Sequence, residues 1–559
     1  MQVYKSHYAP PVIPTDISYP QLLLRHNPDD VEPEKVIFED FEGPFKSITY
    51  GGIRTSAALG AAGLRAVLGV QEGDVVAVLG TNSVDYAILG NAIMWAGATM
   101  CAVNPIATAH ELVHYLAVAT AKVIFAEADG IARVEKALEM SPGLKVKPIV
   151  ALLGHSTPET ARYTTFPRDV LDEKRTPLPP FDLSNRDSRN VPAVICFSSG
   201  TSGKPKGVFL SHYNVVAYQL CMRCTEPFLY NAFQREIFYA PFSHIYGIIA
   251  AMTLAPFYGH YVVLMRRYQF EKYIERCSKI RATVLRLIPA TAVSMVKDPF
   301  VRGLDLKSVD TVMCAGAPLQ AHVVQQMKEM MGRTDIVQGY GLSETSVTFL
   351  RGYWSVKKAG SVGLLSTGVS ARIVDDDHND VPHGEQGEIL VQSPYTFMGY
   401  KDNPEETASS FKDGWFLTGD VGRMDDDGFM WLTDRKKELI KYKGNQVPPA
   451  ELEDVLLSHP NVKEAAVCGV WDEVQQTELP MGYISLREKA SSATEVQKQL
   501  QEVKEFVDSR VSPHKKLRGG LHYLEEFPKN HNGKLVRRLL PAKVEEDKKA
   551  AQKAQRAKL

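Results

Sequence analysis

Phe197-Ser198-Ser199-Gly200-Thr201-Ser202-Gly203-Lys204-Pro205-Lys206-Gly207-Val208 is the segment whose residue types point most directly to chemistry. Gly200, Gly203 and Gly207 permit tight backbone turns that leave N–H groups facing outward. Ser198, Ser199, Thr201 and Ser202 add hydroxyl donors, and Lys204 and Lys206 add positive charge. Such a loop is a nest for a polyphosphate. It is not the GxxxxGK[ST] loop, because Pro205 stands where that motif needs Ser or Thr. A mobile surface loop could share this composition, but three glycines and four hydroxyls directly after the apolar run at 193–197 favour a bound anion. Two further lysine-rich segments lie near the C-terminus. They are Lys437-Glu438-Leu439-Ile440-Lys441-Tyr442-Lys443-Gly444-Asn445-Gln446 and Pro528-Lys529-Asn530-His531-Asn532-Gly533-Lys534-Leu535-Val536-Arg537-Arg538. Either alone reads as a solvated face; their pairing behind the charged break at 434–437 argues for use.

The elements that must position these groups follow from the hydrophobic pattern. Strand-like runs at 75–79, 122–126, 149–152, 193–197, 283–288, 311–315 and 335–338 alternate with helical periods at 84–96, 109–119 and 320–331. That alternation predicts mostly parallel sheets covered by helices, an α/β class. From about 387 the texture changes to short strands (388–393, 428–433) and turn-rich segments, a β-rich subdomain. Beyond the charged break comes a compact α+β pattern: helices at 449–458 and 496–509, strands at 464–470, 481–486 and 521–524. The expected organisation is a large part at 1–434, a small mobile domain at 435–541, and a charged tail at 542–559.

Composition bounds the function. Of 559 residues, 44% are hydrophobic and 23% charged, which is ordinary for a globular chain with a large core. Lys and Arg total 64 against 65 Asp and Glu, a net charge of −1 that asks for neither nucleic acid nor an anionic membrane. Seven scattered cysteines argue against a disulfide framework and fit a reducing compartment. Cys221 and Cys224 form one CxxC, for which two small residues one helical turn apart is favoured over zinc. The uncharged stretch 247–265 contains Pro256, Gly259 and His260 and reads as a buried helix, turn and strand rather than a membrane span. The terminal Ala557-Lys558-Leu559 is either a peroxisomal address of the Ser-Lys-Leu type or an ordinary basic end, with a cytoplasmic protein as the other outcome.

The loop at 197–208 resembles the phosphate loop of the adenylate-forming superfamily, which contains acyl-CoA synthetases, nonribosomal adenylation domains and luciferases. Further motifs of that family follow in order over about 40–541: Pro241-Phe242-Ser243-His244-Ile245-Tyr246-Gly247, Ala315-Gly316-Ala317-Pro318, Gln338-Gly339-Tyr340-Gly341-Leu342-Ser343-Glu344-Thr345 and Gly414-Trp415-Phe416-Leu417-Thr418-Gly419-Asp420. The nearest likeness is to 4-coumarate:CoA ligase-like aryl- and acyl-CoA ligases. The resemblance implies an ATP site built from Ser198, Ser199, Gly200, Thr201, Ser202, Gly203, Lys206, Gly316, Ala317, Gln338, Gly339, Gly341 and Lys437. Within it, Tyr340 stacks on adenine, Ser343 reaches a phosphate, and Asp420 and Arg435 hold the ribose. Glu344 would bind Mg²⁺, since a hard cation takes carboxylate and phosphate oxygens. Lys534 would bridge the acid and the α-phosphate, and Lys436 lies at the family's hinge. By the same resemblance His244 would gate the path to CoA, and Lys441, Gln446, Lys443 and Gly444 would serve the thioester step. The acyl pocket falls on Tyr246, Ala250, Met313, Gly316, Gly339, Gly341, Val347 and Thr348. Plant relatives carry Gly-Pro shortly after the signature glutamate; Thr345-Ser346-Val347-Thr348 stands here, which leaves the acid open between aryl and medium-chain.

The implied reaction is an ATP-dependent carboxylic acid:CoA ligation through an acyl adenylate, with ATP, Mg²⁺ and CoA as the small molecules. Loading of a carrier protein in trans is the alternative, and no carrier domain is fused within this sequence. A luciferase-like oxygenase would use the same adenylate with O₂. A non-catalytic interaction protein would be expected to lack Lys534, Glu344 or Asp420; all three are present.

Overall fold

The computed structural model describes residues 2–43, 46–198, 205–315, 319, 321–332, 334–351, 358, 360–442, 445–472, 475, 477–488, 492–511, 513–529 and 535–544. By compactness the chain divides into two units. The first takes in Met1–Arg372, Leu390–Thr418 and Met424–Trp431; the second takes in Ile373–Ile389, Gly419–Arg423 and Leu432–Leu559.

In the first unit an eight-stranded sheet runs in the order Gly399–Tyr400, Lys206–Ser211, Pro192–Ser198, Thr99–Val103, Val75–Leu79, Val123–Ala126, Ile149–Leu153, Thr165–Phe166. From Pro192–Ser198 outward the strands are parallel, and the other two are antiparallel. The apolar runs read from the sequence are its buried interior: Val76–Val78, Val123–Ala126 and Val194–Cys196 are buried throughout, as strands covered on both faces must be. A second sheet orders Arg235–Phe238, Tyr261–Leu264, Val36–Asp40 and Ser47–Thr49. A third orders Val284–Leu287, Thr311–Ala315, Asp335–Leu342, Ser346–Leu350 and Leu364–Leu365, parallel over its first three strands. Tyr273, Leu285, Leu287, Val312, Cys314 and Met327 pack one core against its helices. Helix Val84–Trp95 is buried at every position; Ser83 caps it by accepting from Tyr86 N–H at 3.1 Å. Cys221, which is buried, and Cys224 sit one turn apart on helix His212–Thr225.

The stretch 247–265 is a buried helical run, a turn and a strand. Helix Ile245–Gly247 passes into a π-turn at Ile248–Met252 and a helix at Leu254–Tyr258. Thr253 donates to Ile248 O through both its N–H and its hydroxyl, at 2.9 Å each, which sets the wider turn. Gly259 at φ +75° then turns the chain into Tyr261–Leu264. Among the described residues no helix is long and apolar enough to cross a membrane.

The second unit contains the three-stranded sheet Val462–Asp472, Thr477–Leu486, Gly520–Tyr523, with helices Pro449–Ser458 and Ala493–Asp508. Leu452, Leu456, Val467, Ile484, Val503 and Val507 form its core. A two-stranded ribbon pairs Ile440–Tyr442 with Asn445–Val447. Lys529 and Leu535 form an isolated antiparallel bridge.

Candidate active site

The phosphate-loop ends are fixed by a hairpin. Ser198 faces Lys206 in the antiparallel pairing of Pro192–Ser198 with Lys206–Ser211. Ser198 is buried, and its Oγ has no hydrogen-bond partner among the described residues. A buried hydroxyl without a partner is costly, which fits a ligand oxygen at the mouth of this loop. Downstream, His114 Nε2 lies 2.7 Å from Pro205 O, and Lys401 N–H donates to Gly207 O at 2.8 Å. The central loop residues Ser199, Gly200, Thr201, Ser202 and Gly203 lie outside the described residues. So do Gly316, Ala317, Lys443, Gly444, Lys534 and the terminal Ala557-Lys558-Leu559; Gln446 is described in its backbone alone.

The second signature grows out of strand Asp335–Leu342. Gly341 is required there: a Cβ would fall 1.8 Å from Ser346 O, across the bulged pairing with Ser346–Leu350. A Cβ at Gly339 would fall 2.4 Å from a softer neighbour, Met313 Cε. Tyr340 is buried, its ring 5.9 Å from Phe349. Thr348 is buried and donates to Tyr340 O at 3.3 Å. The Gln338 amide is occupied by backbone: it accepts from Leu319 N at 2.8 Å and donates to Ser361 O at 3.4 Å. Ser343 lies in the turn after this strand and Val347 in the next strand, Ser346–Leu350.

Glu344 is only 8% exposed, so it is not a solvated surface carboxylate. Tyr400 donates to its Oε1 at 2.9 Å. Burial first, and the Glu344 charge second, push the Tyr400 phenol upward, so it stays a donor. Lys206 pairs with Glu406 and stands 5.0 Å from the centre of the Tyr400 ring. Thus Lys206 and Glu344, far apart in sequence, meet around one tyrosine.

His244 caps the helical run at Ile245, its Nδ1 accepting from Tyr246 N at 3.2 Å. An accepting Nδ1 leaves the proton of the neutral ring on Nε2. Ala250 and Met313 are buried. The Tyr246 hydroxyl accepts from Arg286 Nη1 at 3.2 Å. Burial pushes this phenol to about 12 against the opposing pull of Arg286. Arg286 is itself buried and donates to Glu236 at 2.5 Å, with His260 Nε2 3.3 Å from the same carboxylate.

In the second unit Asp420 is buried and Arg435 Nε lies 3.1 Å from its Oδ1. Lys436 bridges Asp376 and Glu388 at 2.9 and 2.8 Å. Lys437 follows immediately. Lys441 and Gln446 are opposite each other in the ribbon, and Lys441 N–H donates to Glu478 at 2.7 Å.

Sequence reasoning missed Tyr400, Glu406, His114, Arg286 and Glu236. Arg286 did carry a signal: it is a lone charge inside the apolar run TVLRLI, which demands a buried partner, whereas Glu236 follows Arg235 at the start of REIFYA and reads as an ordinary charged strand end. Tyr400 and His114 carry none, since a tyrosine before a turn and a histidine on a helix are commonplace.

An adenylate-forming architecture is what these sheets and motifs define, and the comparisons agree. The AMP-binding enzyme model matches residues 26–401 and the AMP-binding enzyme C-terminal domain model matches 451–534. The chain belongs to the AMP-binding enzyme family. It is 31% identical over 556 residues to "Probable 4-coumarate--CoA ligase 2" of Dictyostelium discoideum, covering 96% of this chain and 97% of that one. It is 33% identical to "4-coumarate--CoA ligase-like 8" of Arabidopsis thaliana, covering 84% of this chain and 83% of the other. Among solved structures, ATP-bound MatB from Rhodopseudomonas palustris superposes with a TM-score of 0.80 at 25% identity, covering 94% and 98% of the two chains.

Proposed function

We propose that this AMP-forming acid–thiol ligase activates an aryl acid of the cinnamate, phenylacetate or benzoate kind, or a medium-chain acid, and passes it to CoA. The observation that carries this reading is the meeting of Lys206 and Glu344 at Tyr400, which puts a phosphate-loop ammonium and a carboxylate on one substructure. The family membership and the names of the relatives support the reaction class. The mixture of Tyr246, Ala250, Met313, Val347 and Thr348 supports an apolar or aromatic acid.

A carboxylate resists attack because its charge repels nucleophiles and oxide leaves badly. Transfer to AMP removes the charge and supplies a leaving group. The carboxylate oxygen attacks the α-phosphorus, and the bond to pyrophosphate breaks. The CoA thiol then attacks the acyl carbon, losing its proton, and AMP departs. In the first step two anions must meet, so the chain supplies the loop N–H groups, Ser198, Lys206 and, by resemblance, Lys534. Asp420, a two-oxygen acceptor, suits the ribose hydroxyls, with Arg435 holding it in place. His244, with its proton on Nε2, suits a gate beside the acid.

A divalent cation fits the residues present. Glu344 is held by Tyr400 through one oxygen, and its other oxygen takes no hydrogen bond among the described residues. Among those residues no cluster of three or more His, Cys, Asp or Glu is placed to hold a metal. A cation at Glu344 would therefore complete its shell with phosphate and water, as Mg²⁺ does. It would supply charge neutralisation of the triphosphate.

By resemblance to the family, the part at 435–541 would turn about Lys436 between steps, presenting Lys534 first and the Lys441–Gln446 ribbon with Lys443 and Gly444 second. The Ala557-Lys558-Leu559 ending supports a peroxisomal address. Pyrophosphate release across a panel of aryl and fatty acids, with and without CoA, tests the function. Acid-dependent pyrophosphate with CoA-dependent AMP is expected; AMP release that needs a carrier protein instead would overturn it. Lys534→Ala should abolish adenylate formation while sparing thioester formation from supplied acyl-AMP, and equal loss of both would refute the division of labour.

A further inference from the structure

Tyr400 touches both halves of the phosphate machinery and is itself fixed at three points. Its N–H donates to Thr407 Oγ1 at 2.9 Å, its ring packs edge-on against Phe397 at 4.9 Å, and it faces Val208 in the pairing with Lys206–Ser211. Phe397 N–H in turn donates to Glu344 O at 2.8 Å, so the same short segment grips the backbone and the side chain of Glu344. A carboxylate only accepts, so the Tyr400 proton is committed to Glu344 Oε1. A phenol ring offers a negative face to an ammonium, and Lys206 occupies that neighbourhood. Glu406, in the first turn of helix Pro404–Ser409, pairs with Lys206.

We propose that Tyr400 is a positioning residue for the cation and the triphosphate. Its hydroxyl fixes one oxygen of Glu344 and leaves the other for the cation, while its ring sets Lys206, which Glu406 holds until phosphate oxygens replace it. This rests on the reading of Glu344 as the cation carboxylate. Partners that orient a metal-binding carboxylate from behind change metal affinity by roughly 10–100-fold when removed.

The test measures Mn²⁺ binding by electron paramagnetic resonance in the full chain with α,β-methylene-ATP. Metal-free binding of the analogue is measured separately in chelator. Tyr400→Phe keeps the ring and loses the hydroxyl; it should bind Mn²⁺ roughly ten-fold more weakly with metal-free nucleotide binding unchanged. Tyr400→Leu also loses the ring and should weaken both. Glu406→Gln frees Lys206 and should tighten metal-free nucleotide binding several-fold at low salt without altering Mn²⁺ affinity; because Glu406 is partly exposed, this variant remains informative if Tyr400→Phe misfolds. Wild-type Mn²⁺ affinity in a folded Tyr400→Phe overturns the hydroxyl's role, and unchanged nucleotide binding in Glu406→Gln overturns the Lys206 arm. Glu344→Gln is the reference: if it retains Mn²⁺ affinity, the reading of Glu344 fails independently of Tyr400.

Discussion

At the scale of single residues, the strongest constraints come from charges that burial would expel unless they are paired. Burial opposes the Glu236 charge, and the Arg286 guanidinium with His260 beside it overcomes this and holds the carboxyl below its usual range. Removing one member of a buried pair leaves the other uncompensated, at a cost of about 3–5 kcal/mol. Arg286→Met is therefore expected to lower stability by about that amount in urea titration, and Glu236→Gln combined with it to recover a large part. A loss in the double variant equal to the sum of the two single losses would show that the pair is not coupled. His212 gives the opposite kind of constraint. It is buried, its Nδ1 accepts from Tyr19 N at 3.2 Å, and burial, aided by Arg186, depresses it from 6.5 to about 3. Between those values the unfolded chain holds a proton that the folded chain refuses. Its contribution is thus complete above about pH 6.5 and lost as pH falls toward 3, at about 1.4 kcal/mol per pH unit. His212→Gln should flatten that part of the stability profile. The need for a buried partner was legible at Arg286, because it interrupts an apolar strand. Its meeting with Glu236 was not, because nothing local aligns residues fifty positions apart.

At the scale of elements, period and punctuation carried the reading of the sheets. Runs such as 75–79 and 311–315 fall on strands Val75–Leu79 and Thr311–Ala315 because continuous apolar residues need cover on both faces. The π-turn at Ile248–Met252 was not legible, since it depends on Thr253 reaching back to Ile248 O within a run apolar all round. The glycines of the second signature separate two physical causes that sequence alone merges. A Cβ at Gly341 would meet backbone at 1.8 Å, and backbone cannot yield without breaking the pairing with Ser346–Leu350. A Cβ at Gly339 meets only the flexible end of Met313. Gly341→Ala is therefore expected to cost at least about 1–3 kcal/mol and to abolish turnover. Gly339→Ala should fold normally, move Met313 into the pocket and select against bulky acids. Thermal melts with kcat/KM across acids of increasing width check both, and a loss of stability in Gly339→Ala matching that in Gly341→Ala would contradict the distinction.

For the whole molecule, the charged break at 434–437 reads in the sequence as a simple boundary, yet the second unit also claims Ile373–Ile389 and Gly419–Arg423. The reason lies in what the break's residues do. Lys436 N–H donates to Gly419 O at 2.9 Å, its ammonium joins Asp376 and Glu388, and Arg435 joins Asp420. Hydrophobic periodicity has no access to such long-range polar ties, because each member is an ordinary charged residue in its own stretch. The Glu388 side chain is 8% exposed, so its pairing is not dispensable. Lys436→Met in the full chain should destabilise the second unit by about 1–3 kcal/mol, the cost of a buried acceptor left without its partner. A chain ended at 434 loses that contact together with the partner of Asp420 and the donor to Gly419 O. Its segments 373–389 and 419–423 would then lose these polar partners, and its urea midpoint should fall below that of Lys436→Met. If the 1–434 fragment unfolds at the midpoint of the full chain's first unit, those segments owe nothing to residues beyond 434 and the boundary lies where the charge pattern alone places it.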